Sequence, residues 1–265
     1  MDNWAEVENE SLEIQDQFVG EDVMEESQAE KYLGDIISND GRNMKNIKSR
    51  VNKGKGMVSR IMTLLEGIPF GKFYFEVAVI LRNSLLVSSM LTNSEAWYNV
   101  SKAELDYLET VDELLLRRIL KAPKTTPKEI LYLELGCVPL RNLIQKRRIL
   151  FLYYLLHQDP GSMLYKFLET QLRNRNTKDW TSTVLKDLEE LKWEINIDEL
   201  KNMNKSGFKR MLNEKTEEKS LNDLNKLKSG HSKVKHLKKS KMQMRKYFKQ
   251  TGIKETKEEI KIFLT

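Results

Sequence analysis

Apolar residues recur at helical spacing over most of the chain, and that pattern predicts its elements. Asn43 to Glu66 sets Ile47, Val51, Val58, Ile61, Met62 and Leu65 on one side, interrupted by Gly54 and Gly56. Phe73 to Leu91 is apolar nearly all round, the pattern of a central, buried helix; Glu76, Arg82 and Asn83 inside it argue against a membrane span. Ser101 followed by Glu104 is a capping box, and behind it Leu105, Leu108, Val111, Leu115 and Ile119 keep the period until Pro123. Thr126-Pro127-Lys128-Glu129 predicts a second capped start, ended by Gly136. Pro139 opens a helix with Leu140, Leu143, Ile144, Phe151, Tyr154 and Leu155 expected inward, closed by Asp159-Pro160-Gly161. Further helices are expected near 162–172, 180–191, 197–212 and 217–227. One strand is expected, from Lys31 to Ile37, followed by the turn signal Asn39-Asp40-Gly41. The fold class is therefore mainly α: a helical bundle preceded by a short β-hairpin or strand, with a basic, partly disordered C-terminal region. The expected organisation is an acidic disordered arm over 1–30, the strand and turn over 31–41, a compact helical domain over 42–160, a looser helical linker over 161–227 and a basic segment over 228–265.

Charge placement adds more than composition. The 265 residues carry a net +6, but the first thirty hold eleven acids and no Lys or Arg, which leaves +17 on the remainder. Between Gly41 and Leu65 lie seven basic residues and no acid, and between Leu224 and Lys254 eleven basic residues and no acid. Windows of this kind suit phosphate neutralisation, which releases condensed counterions from nucleic acid; their other reading is a solvated face or basic tail.

The same residues offer little catalytic or metal-binding chemistry. A single cysteine, Cys137, forms neither an internal disulfide nor a cysteine zinc site and points to a reducing intracellular compartment. It reads as a small core residue. His157 reads as a helix-end residue, and His231 and His236 stand among lysines that repel a cation. Gly54 and Gly56 miss the spacing of a phosphate loop. Glu104, Glu109, Asp112 and Glu113, with Lys102, Arg117 and Arg118 nearby, read as the solvated side of one helix. No Asp-Asp pair occurs in the sequence. The expectation is no cofactor, no metal, no membrane and no self-sufficient enzyme.

Several blocks in order carry a likeness: Lys31-Tyr-Leu-Gly-Asp-Ile-Ile-Ser-Asn-Asp-Gly41, Asn46-Ile-Lys-Ser-Arg-Val-Asn-Lys-Gly54, Leu81-Arg-Asn-Ser-Leu85, Asn93-Ser-Glu-Ala-Trp-Tyr98, Leu131-Tyr-Leu-Glu-Leu-Gly136, the Arg147-Arg148 helix and His231-Ser-Lys233. Together they resemble the region beyond the palm in non-LTR (LINE-like) retrotransposon reverse transcriptases, over residues 20 to 250. The resemblance implies a primer grip at Lys31 to Ile37 and a thumb over 42–160 lying along an RNA–DNA duplex. The family's catalytic Phe/Tyr-x-Asp-Asp motif and its later Cys/His cluster have no counterpart in these residues, so polymerase chemistry does not carry over.

The candidate contacts are Lys45, Lys48, Arg50, Lys53, Lys55 and Arg60, directed at the backbone of RNA, DNA or a hybrid. Tyr32 is expected either to touch primer sugar or base or to pack on the first helix. A protein partner supplying the palm is implied by the same likeness. The other readings are a helical protein-interaction scaffold, whose acidic arm covers a basic face, and a transposon relic without function.

Overall fold

A computed structural model describes residues 29–32, 34–174, 178–228, 230 and 241–244. The acidic arm up to residue 28, and most of the basic C-terminal window with His231 and His236, lie outside the described residues. The architecture is mainly helical, with one short antiparallel hairpin at its start.

The hairpin is built differently from the expected single strand. Strand β1 (Ala29–Tyr32) pairs with β2 (Asp35–Ser38) in the register Tyr32 to Asp35. The reversal falls inside the expected strand, at Gly34, whose φ of +90° suits a residue without Cβ. Asn39-Asp40-Gly41 makes the next turn, with the Gly41 N–H donating to Ser38 O, and delivers the chain to α1 (Met44–Leu65). The hairpin therefore takes in Ala29 and Glu30, two residues expected in the acidic arm.

Helix α1 follows its period: Ile47, Val51, Val58, Ile61 and Leu65 are buried. Gly54 lies on that face because an added Cβ would stand 3.0 Å from Val111 Cγ1 and 2.8 Å from Met90 Sδ. The central run divides into α2 (Lys72–Leu81), a π-helical turn over Arg82–Val87, and α3 (Ser88–Met90). By length and composition Lys72–Met90 is apolar enough to cross a membrane; here Phe75, Ala78, Leu86 and Met90 pack into the core while Phe73 and Ile80 are exposed.

A 3₁₀ turn over Ser94–Ala96 leads to α4 (Lys102–Leu120). The capping box is present: Ser101 Oγ accepts from the Glu104 N–H at 3.2 Å, and the Ser101 N–H donates to Glu104 Oε2 at 2.8 Å. The next helix, α5 (Lys128–Leu135), starts one residue later than expected, with Pro127 as its N-cap residue. Gly136, at φ +67°, ends α5, and α6 (Leu140–Leu156) follows Pro139. On α6 the inward set is corrected. Tyr153, Leu152, Ile149 and Arg148 are buried, whereas Tyr154 is exposed.

The later helices are α7 (Met163–Asn174), α8 (Trp180–Glu190), α9 (Ile197–Asn202) and α10 (Lys205–Lys228). The two last expected pieces are redrawn. Asn204 accepts the Gly207 N–H through Oδ1 at 2.7 Å at the start of α10, so the break between the two helices falls at 203–204 and not at 213–216. Helices α7 to α10 and the second half of α6 enclose a core of Leu152, Leu156, Trp180, Val184, Trp193 and Phe208. Helices α1 to α5 enclose the other core, and α10 runs back against α5 and α6, so Leu224 and Met242 enter it. Cys137 is buried there.

Leu115 has no exposed surface, so Leu115→Ala is expected to cost about 2–5 kcal/mol, while Lys226→Ala on the exposed side of α10 stays within about 0.5 kcal/mol. Urea midpoints of the two variants check the contrast.

Candidate nucleic-acid interface

The acid-free window becomes the outer surface of α1. At 3.6 residues per turn, Lys45, Lys48, Lys53, Lys55 and Arg60 fall on the arc opposite the buried stripe, and all five are exposed. At a rise of about 1.5 Å per residue, Lys45 and Arg60 stand about 22 Å apart along the axis. Gly56 lies in the middle of this arc with nothing within 4 Å of where a Cβ would stand. The sequence thus supplies the cations, and the buried stripe of Ile47, Val51, Val58 and Ile61 turns them outward.

Arg50 does not join them, which corrects its assignment as a phosphate contact. It is 2% exposed. Its Nη2 donates to Asp35 Oδ1 at 2.6 Å and its Nη1 to Ser89 O at 3.2 Å. Position 50 lies three residues after Ile47 and four before Gly54, on the inner side of α1, where a guanidinium needs a carboxylate partner.

Asp35 is the residue that the sequence did not single out. Besides Arg50, it accepts from Asn46 Nδ2 at 2.8 Å and from Asn93 Nδ2 at 2.7 Å, and Asn46 Oδ1 accepts the Ile36 N–H at 3.3 Å. Burial alone pushes its carboxyl up, but the hydrogen bonds from Arg50, Asn93 and Asn46 and the Arg50 charge hold it below the usual aspartate range. One carboxylate thereby ties the hairpin to α1 and to the turn at Asn93, itself left-handed at φ +58°. The signal was an acid at the first position after the Gly34 reversal, legible only once that reversal is placed.

Tyr32 sits at the hairpin end, opposite Asp35, and is 63% exposed. Most of its surface is therefore open to solvent. The acids read as a solvated face on α4 are corrected as well. Asp112 is fully buried and receives Arg82 Nε at 2.7 Å, Arg82 Nη2 at 2.5 Å and Tyr132 Oη at 3.1 Å. Burial, aided by the Asp112 and Glu109 charges, raises the Tyr132 phenol well above its ordinary range, so it stays a donor. Glu109 receives Arg141 at 2.9 and 2.5 Å, and Glu104 serves the cap. Only Glu113, paired with Arg117 at 2.6 Å, lies partly open. These are structural ion pairs, and among the described residues no group of three His, Cys, Asp or Glu is placed to hold a metal.

Lys228, from the second basic window, is buried at the end of α10, and Lys226 is exposed. No family model, no curated protein and no solved structure matches the chain.

Proposed function

We propose that the chain is a non-catalytic, thumb-like module of a non-LTR retrotransposon reverse transcriptase that grips the backbone of RNA, DNA or their hybrid. The exposed arc of Lys45, Lys48, Lys53, Lys55 and Arg60 on α1 carries this reading. Its cations lie on the solvent-facing half of the helix, no acid interrupts them, and the helix packs on α4. Long, solvated side chains of this kind suit phosphates, which position a ligand without reading its sequence. Gly56 supports the reading, since a small residue in mid-arc admits close approach of another backbone. Exposed Tyr32 at the hairpin end offers a ring to primer sugar or base, while Asp35 and Arg50 hold the hairpin in place.

Five phosphate contacts on a duplex give a log–log dependence of affinity on salt with a slope of about −4 to −5. Changing Lys48, Lys53 and Lys55 together to alanine is expected to flatten the slope by about two to three units, with little dependence on base sequence. Arg50 stays untouched because its loss would strike the fold. The helix survives, as alanine is the best helix former and no buried contact is removed. Salt titrations of the intact chain and the triple variant against an RNA–DNA hybrid, read by fluorescence anisotropy, check this. Equal slopes overturn the proposal and favour a docking scaffold.

A further inference from the structure

The outer face of α6 is the least expected surface of the molecule. Phe151 and Tyr154 stack at 5.9 Å and 14°, and Phe151 is braced from behind by the edge of Trp180 at 5.6 Å. Trp180 is fixed in turn, since its Nε1 donates to Glu95 O at 2.7 Å. Tyr154 is left 51% exposed on a rigid base. Two grooves meet at Phe151. One, of about 410 Å³, runs past Tyr98 and Phe167 and is largely apolar. The other, of about 800 Å³, is rimmed by Arg147, Lys205 and Lys209, with His157 at its end and Glu95 as its one acid. Arg147 donates to Leu91 O through Nη1, and Lys205 and Lys209 are exposed, four residues apart at the start of α10.

The aromatic surface lies close to the start of α1. Asn43, the residue before α1, donates from Nδ2 to Tyr98 O at 3.0 Å, and Tyr98 is itself 43% exposed. Tyr98 thus lies near the Lys45 end of α1, shares one groove with Phe151, and Phe151 shares the other with Tyr154 and the cations of α10.

Exposed rings held by packing, alternating with cations that outnumber the acid, make up the chemistry of single-strand recognition: bases stack on π-faces while the backbone is neutralised beside them. A duplex hides its base faces and cannot use the rings. We propose that the Tyr98–Phe151–Tyr154 surface binds an unpaired strand that continues from the duplex held on α1. This deepens the function proposed above and rests on it for the duplex half.

The test uses a fluorescein-labelled blunt RNA–DNA hybrid and the same hybrid with an unpaired oligo-dT extension of about ten nucleotides, within the span one such surface covers. The free oligo-dT is titrated beside them. The intact chain is expected to bind the extended hybrid about tenfold or more tightly than the blunt one. Tyr98→Ala with Tyr154→Ala is expected to abolish that gain and leave the blunt hybrid unchanged. Lys205→Glu with Lys209→Glu, on exposed side chains, repeats the loss without touching a ring. An extension that adds nothing, or a gain that both variants keep, overturns the proposal. So does oligo-dT binding that both variants keep unchanged while an uncharged apolar peptide competes for the surface. Blunt-hybrid binding with no gain sinks the groove alone. Oligo-dT binding with no blunt-hybrid binding sinks the duplex reading and keeps the groove.

Discussion

Replacing Asp112 by alanine is expected to cost about 3–5 kcal/mol, against a net stability of about 5–15 kcal/mol for an ordinary domain. The change removes the two carboxylate oxygens that accept from the Arg82 guanidinium and the partner of the Tyr132 hydroxyl, in a place without water-facing surface. Arg82 keeps Val138 O at 2.9 Å and Asn83 Oδ1 at 3.0 Å, two neutral acceptors for a charge that desolvation penalises heavily. With about 2–4 °C per kcal/mol for a chain of this size, melting falls by about 6–20 °C. The double variant Arg82→Met with Asp112→Leu separates charge from packing. It is expected to recover most of the loss, because apolar residues of similar volume commonly replace a buried pair at little cost. A loss within about 1 kcal/mol for Asp112→Ala alone contradicts the buried-pair account.

The second large effect lies where the two cores join. Arg148 donates to both carboxylate oxygens of Asp187, at 2.6 and 2.9 Å, and to Trp97 O at 3.2 Å. Arg148→Ala is expected to cost about 3–5 kcal/mol at neutral pH, since it leaves Asp187 buried without its cation. Burial already pushes the Asp187 carboxyl above its ordinary value, against the hydrogen bonds and charge of Arg148. Removing Arg148 raises it further. A carboxyl raised in the folded state favours folding below its unfolded value and loses that favour as pH rises through its folded value. The variant's deficit therefore narrows as pH falls from 7 toward 5. Urea unfolding of variant and parent at both pH values checks it, and a deficit that widens on acidification rules the account out.

Local chemistry was legible in the sequence and distant chemistry was not. The Ser101–Glu104 cap, the Gly136 stop and the Pro139 start are each decided within four residues, and each appears where expected. The stripe of α1 was equally plain, since burial of Ile47, Val51, Val58 and Ile61 follows from spacing alone. Asp112 and Glu109 looked solvated because their partners, Arg82 and Arg141, stand 30 and 32 residues away. Arg50 looked like its five neighbours in the basic window because nothing local marks which cation will meet Asp35. On α6 the period left Tyr153 and Tyr154 adjacent, and the choice fell to Phe208, which stacks on Tyr153 at 4.1 Å from another helix. Of the six cations singled out on α1, five are exposed and Arg50 is not, and the aspartate that fixes the hairpin was missed.

The close seat at Gly136 bears on how the molecule is made. An added Cβ there would lie 2.4 Å from the backbone of Gln243, so the 241–244 segment crosses the α5–α6 corner almost in contact with the chain beneath. Met242 and Leu224 then complete a core whose other members end at Ile144. During synthesis, roughly 100 residues separate the emergence of Ile144 from that of Met242, which at about 5–20 residues per second takes about 5–20 s. For that interval the nascent chain carries an open apolar flank on α5 and α6, the kind of surface chaperones hold. The final strap acts as a clasp fastened only after α10 has turned back.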